Sequence, residues 1–288
     1  MSGDFPYQEI RSLLLEYLAE NFESQYVFAV KGVVELAKKH GLYSGPTNSI
    51  TRIGGPSYDL DGQDFKRVPE IVRQLFWMLL VQGILVFGHD DMNPNWPFYK
   101  ITEYGESILK QHGPRPYDPD GFLKEFSRIN PNADSIVLEY LKEAVYTFNM
   151  GCFKASAVML GCASEQIILI LHEIFESAIS DPSKKKAFTQ SSRWNIYSKF
   201  NNLRESLEDM IKAKQLPADL VEVVRSDLIS GFELIRRIRN SAGHPDIQSC
   251  IRREAIYLNL TFFTEYTRQV LKLVEYFKGH SNRPIGGV

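Results

Sequence analysis

Apolar positions fall at helical spacing along most of the chain, so the places where that rhythm breaks mark its organisation. Ile10, Leu13, Leu14, Tyr17 and Leu18 form one stripe at three- and four-residue intervals. Tyr26 to His40 repeats the pattern, and Gly41 is positioned to stop it. The turn-rich sequence from Gly45 to Gly62 predicts an exposed loop. Val68 to Gly83 predicts a helix opened by Pro69 and ended by Gly83. It is apolar nearly all round, which predicts burial. Two β-prone runs, Ile84 to Phe87 and Phe98 to Thr102, flank a polar turn of Gly, His, Asp and Asn and read as a hairpin. Glu103 to His112 then reads as a short helix with Thr102 as its N-cap.

The rhythm fails between Gln111 and Asp120, where three prolines and a glycine occur in ten residues. Pro131 punctuates a second polar stretch, Asn130 to Asp134. These breaks predict a first domain over residues 1–115, a linker over 116–132 and a second domain over 133–288. The second domain reads as helix throughout. Ser135 to Phe148 places Ile136, Tyr140, Leu141, Val145 and Phe148 on one face. Phe153 to Ile179 is long and rich in Ala, Leu and Ile, and Asp181 to Ser192 reads as a polar break carrying Lys184, Lys185 and Lys186. Trp194 to Lys214 reads as an amphipathic helix projecting from the core. Pro217 opens a helix reaching Ala242, stopped by Gly243 and Pro245. Ser249 to Phe277 closes the set. Long helices with short connections predict an up-down bundle, so the fold class is mainly α with one small β-hairpin.

Three helices, a hairpin and a helix make the order of a winged helix-turn-helix. The segment PFYKITEYGESIL (Pro97–Leu109) resembles the second wing strand and last helix of such domains, and the resemblance covers residues 5–112. It implies recognition of DNA or of a protein. The third helix offers Lys66, Arg67, Arg73 and Gln74 to a groove but is otherwise Leu, Phe, Trp, Met and Val. Asp90 and Asp91 at the hairpin tip would repel phosphates. A protein-binding or structural role fits that composition better than DNA does. Trp96, Pro97 and Phe98 read as core.

Composition narrows the class. The chain has 288 residues, 44% hydrophobic and 24% charged, with a formal charge of -2. That excludes disorder and a broadly basic nucleic-acid binder. Residues 1–130 hold 13 basic and 17 acidic side chains and the remainder hold 20 and 18, so the C-terminal part is the slightly positive one. Cys152, Cys162 and Cys250 are odd in number and lack CxxC spacing, which fits buried thiols better than disulfides or zinc. The residues up to Tyr7 show no signal-peptide pattern. The most apolar run, Ile167–Ile174, contains His172 and Glu173 and falls short of the ~20 apolar residues of a membrane span. A soluble, cytoplasmic protein without a membrane partner is expected. No GxxxxGK[ST], GxGxxG, HExxH or GxSxG pattern is present.

One segment carries chemistry: RRIRNSAGHP, Arg236–Pro245. Here residues 133–278 resemble the HEPN superfamily, helical bundles marked by Arg, four to six residues and His, often with a polar residue after the Arg. Arg239, Asn240 and His244 match that form; Arg237 to His244 fits the longer spacing. The helix FKASAVMLGCASEQIILIL (Phe153–Leu171) is also similar to the corresponding helix of that group. The resemblance implies a metal-independent RNA endonuclease without a cofactor, acting as a homodimer whose two motifs face one cleft, in the manner of toxins and defence effectors. The residue chemistry agrees. A helix C-terminus favours the His244 imidazolium, and Arg239 offers a five-donor fork to a phosphate. A base on the ribose 2′-OH would leave a 2′,3′-cyclic phosphate and spare DNA.

Each of these residues also has a plainer reading. His244 caps a helix, Arg239 pairs with Glu233 or another carboxylate, and Glu165 either orients Arg239 or His244 across the bundle or pairs elsewhere. His172 reads as a satisfied histidine, Ser241 has no base at proper spacing, and Lys184–Lys186 reads as a solvated loop or a contact to an RNA backbone. On that reading the protein is a non-catalytic regulator. Its winged helix binds DNA or protein, and its bundle serves dimerisation.

Overall fold

A computed structural model describes residues 7–42, 68–110, 116–191, 195–243 and 251–280. The loop read at Gly45–Gly62 lies outside the described residues, as do Lys66, Arg67, Trp194, His244, Pro245 and Cys250. The protein is mainly helical with one small three-stranded antiparallel sheet. It divides into two compact units, residues 1–113 and 114–288.

The first unit runs α1 (Tyr7–Glu20), β1 (Glu23–Gln25), α2 (Tyr26–Lys39), α3 (Val68–Val81), β2 (Leu85–Phe87), β3 (Phe98–Ile101) and α4 (Glu103–Leu109). Its core is built from Leu14, Leu18, Val30, Val33, Phe76 and Leu79, all essentially sealed from solvent. Each such side chain contributes about 1.5–3 kcal/mol of burial. Gly83 ends α3 at φ +71°, where only glycine sits without strain. The Gly83 N–H bonds to Leu80 O and the Ile84 N–H to Leu79 O, each at 2.9 Å, which closes the helix and turns the chain into β2. Leu85, Val86 and Phe87 then pair with Ile101, Lys100 and Tyr99. Thr102 caps α4 as its sequence predicts. Its Oγ1 accepts the Gly105 N–H at 2.9 Å and donates to Gly83 O at 2.7 Å, fastening the hairpin to the end of α3.

Three features of this unit differ from the sequence reading. Strand β1 has no apolar alternation (Glu23, Ser24, Gln25), yet it pairs with β3 and makes β3 the central strand. Helix α3 is not buried all round: Val72, Leu75 and Phe76 face inward, while Trp77 and Val81 are more than half exposed. Trp96 and Pro97 are surface residues rather than core. Trp96 lies against Phe87, which in turn meets Trp77 edge-on at 5.3 Å. Asp90 works locally, its Oδ1 accepting the Met92 and Asn93 N–H groups to build the hairpin tip.

The second unit comprises α5 (Pro119–Ile129), α6 (Ser135–Asn149), α7 (Phe153–Ala178), α8 (Pro182–Ser191), α9 (Ile196–Lys212), α10 (Ala218–Glu222), a π-helical turn (Val223–Leu228), α11 (Ile229–Gly243) and α12 (Arg253–His280). Helix α7 is central and packs against α6, α9, α11 and α12. It is the one described helix long and apolar enough to cross a bilayer, and half of that apolar window is buried within the protein.

Most of residues 116–132, read as a linker, is the helix α5. Pro119 occupies its first turn, and Phe122 and Phe126 enter the same core as α6 and α12. Phe126 stacks on Phe263 at 5.9 Å, and Asn130 donates to Thr264 O at 3.2 Å. The prolines mark a helix start rather than a structureless segment. The polar stretch after Asp181 is likewise a helix, α8, whose first N–H groups are capped by the Asp181 carboxylate. Helix α9 does not project: Phe200, Leu203, Leu207 and Met210 are buried, and Phe200 stacks on Phe232 of α11 at 4.1 Å. The helix expected from Pro217 to Ala242 is interrupted by the π turn at Val223–Leu228, which inserts extra backbone without a proline or glycine to announce it.

Candidate functional site

The last two turns of α11 carry Arg236, Arg237, Arg239 and Asn240, and the helix twist sends them in different directions. Arg237 is exposed. Arg236 places its guanidinium 4.1 Å over the Tyr197 ring of α9 and 3.7 Å from Glu233. Glu233 is therefore a neighbour of Arg236, not of Arg239. Arg239 alone among the three turns onto α7.

Helix α7 receives Arg239 at two residues one turn apart. An added Cβ on Gly161 would lie 2.3 Å from Arg239 Cγ and 2.7 Å from its Cβ, so the aliphatic stem occupies the space a side chain at residue 161 would fill. Arg239 Nη2 then stands 3.7 Å from Glu165 Oε1, and Nη1 donates to Asn240 Oδ1 at 3.2 Å. The guanidinium side chain is 39% exposed and Glu165 is 22% exposed. An ion pair this open and this long contributes under about 1 kcal/mol. It orients the guanidinium without consuming it. Among the described residues its further N–H donors are uncommitted, a state suited to an anionic ligand.

Cys162 sits beside this cluster. Burial pushes its thiol pKa up, the Glu165 charge adds to the effect, Arg239 opposes it and Glu143 of α6 adds again. The thiol is held neutral and is a poor nucleophile. Ser241 donates its hydroxyl to Arg237 O at 3.0 Å, along its own helix. No group of three His, Cys, Asp or Glu side chains among the described residues is arranged to hold a metal ion. His172 is far from this cluster along α7. It is 2% exposed, and among the described residues neither ring nitrogen is hydrogen-bonded, so it is a core histidine but not a satisfied one.

Arg239, Asn240 and Glu165 are thus brought together, Arg237 is directed elsewhere, and His244 lies outside the described residues, next in the chain after Gly243. Gly161 is the residue that sequence reasoning missed. Its signal was a glycine inside a long, otherwise Ala- and Leu-rich helix, a position that costs stability unless something must approach closely. No protein-family model, curated protein or solved structure matches the chain.

Proposed function

We propose that the chain is a metal-independent RNA endonuclease of the HEPN type, with a winged-helix-like module at its amino-terminal end. The observation that carries the reading is Arg239. Its stem is seated on Gly161, its guanidinium is oriented by Glu165 and Asn240, and among the described residues its remaining donors are open at the helix end that leads into His244. In the proposed reaction a neutral His244 takes the proton of a ribose 2′-OH. The 2′-oxygen forms a bond to the adjacent phosphorus, and the bond from phosphorus to the 5′-oxygen breaks. The leaving oxygen takes a proton from a second, protonated imidazole. Arg239 stabilises charge on the phosphoryl oxygens. The products are a 2′,3′-cyclic phosphate and a 5′-hydroxyl.

One arginine and one histidine cannot supply both a base and an acid. The proposal therefore includes a cytoplasmic homodimer in which the second copy provides the other imidazole, within a bundle of up-down HEPN arrangement. The test is degradation of single-stranded RNA by purified protein in EDTA, beside His244→Ala. Wild type is expected to cleave and the variant not to, with unchanged helical content. Cleavage retained by the variant removes the assigned base.

A second reading has its own support. Trp77 and Val81 are exposed on α3, with Trp96 nearby, and this is the helix that a winged-helix domain presents to its target. Two open tryptophans and few cations suit a protein partner better than DNA. On this reading the chain is a regulator whose bundle serves dimerisation, and purified dimer without ribonuclease activity supports it.

A further inference from the structure

Among the described residues, helix α8 is attached to the rest of the second unit by little apolar surface. Of its ten residues, Phe188 is the one whose side chain is buried. That ring rests on two side chains of α7: it stacks on His172 at 4.7 Å and 28°, and meets Phe175 at 5.2 Å. Hydrogen bonds between described residues assist. Asn202 of α9 donates to Phe188 O at 3.0 Å, and Thr189 donates to Glu176 Oε1 at 2.6 Å. The imidazole that forms the floor of this seat is sealed, and among the described residues neither of its nitrogens has a hydrogen-bond partner.

We propose that α8 is an acid-released flap, held on the bundle only while His172 is neutral. The groups around the ring explain why. Helix α7 supplies Glu176, α9 supplies Lys199, α12 presents Phe277 behind Phe175, and α8 presents Phe188. Burial disfavours the imidazolium most, Lys199 disfavours it further, and Glu176 only partly compensates, so the docked pKa lies below the ordinary value. A protonated ring would hold two N–H donors with no acceptor. Attraction of the cation to the Phe188 face offsets part of that cost and cannot satisfy both donors. Release admits water to both nitrogens.

A histidine whose docked pKa is depressed stabilises docking fully above the free value of about 6.5, and that stability is lost as pH falls below it. The flap lies roughly 16 Å along α7 from Gly161, from eleven residues at a helical rise of 1.5 Å, so its release does not require the Arg239 cluster to move.

Hydrogen exchange on the full chain from pH 7.5 to 5 tests the proposal, read as protection factors so that intrinsic exchange is removed. Protection of α8 amides is expected to fall by up to about tenfold per pH unit below 6.5, the limit for one proton. Protection in the middle of α7 is expected to hold. His172→Phe is expected to flatten the α8 profile. Should that variant not fold, NMR titration of the wild-type ring decides. An imidazole titrating below the free value, with α8 protection lost in step, supports the flap. Protection that stays level to pH 5, or a ring titrating at or above 6.5 under a protected α8, overturns it.

Discussion

Replacing Gly161 by alanine separates two opposing effects that the structure sizes. A helix-interior glycine costs about 1 kcal/mol relative to alanine, so Gly161→Ala taken alone would stabilise α7. The new Cβ would fall 2.3 Å from Arg239 Cγ and 2.7 Å from Arg239 Cβ. A rotamer change can move the first atom. The second is fixed to the α11 backbone, so α7 and α11 must also move apart. Overpacking of this kind costs about 1–3 kcal/mol. The net change runs from roughly neutral to about 2 kcal/mol of destabilisation, or up to about 8 °C in Tm for a unit of this size. The functional effect is larger. Displacing one preorganised donor from a developing oxyanion costs on the order of a hundredfold in rate. Thermal unfolding followed by circular dichroism, beside RNA cleavage under single-turnover conditions, measures both. A Tm raised by the full propensity gain together with undiminished cleavage would refute the argument that Arg239 is seated on Gly161 for function.

The other predictions follow from single contacts. Phe126→Ala is expected to destabilise the second unit by about 3–5 kcal/mol, since a sealed ring stacked on Phe263 is lost; chemical denaturation checks it, and a loss under 1 kcal/mol would return α5 to the status of a linker. Thr102→Ala is expected to cost about 0.5–2 kcal/mol through the lost Gly105 cap, read from unfolding of the first unit. Glu165→Gln is expected to change stability by less than about 1 kcal/mol because the pair is open to solvent. It should still slow RNA cleavage by loosening the guanidinium, and equal rates would limit Glu165 to a surface role.

Periodicity made the long helices legible because each buries one stripe, and Thr102, Gly41 and Gly83 were legible as punctuation because cap and left-handed backbone demand those residue types. What escaped was set by tertiary partners. β1 is polar along its length and exists because β3 offers it a ladder. α5 hides behind prolines that also open helices, and its place is set by tertiary partners, Phe263 and Thr264 of α12 and Tyr146 of α6. α8 has one apolar anchor, too few for a stripe. The exposure of Trp77 and Trp96 runs against the ordinary preference of aromatic residues for the core. Within the candidate site, Arg239, Asn240 and Glu165 were readable as chemistry. Their convergence depended on Gly161, whose role is the absence of a side chain.

The proposed reaction requires Arg239 to act on a ribose-linked phosphate. The most direct measurement compares cleavage of one oligonucleotide sequence as RNA and as DNA, in EDTA, by wild type and Arg239→Ala. The expected result is cleavage of RNA alone, ending in 2′,3′-cyclic phosphate and slowed at least a hundredfold by the variant. Cleavage of both polymers, or of RNA at equal rates by both proteins, would contradict it.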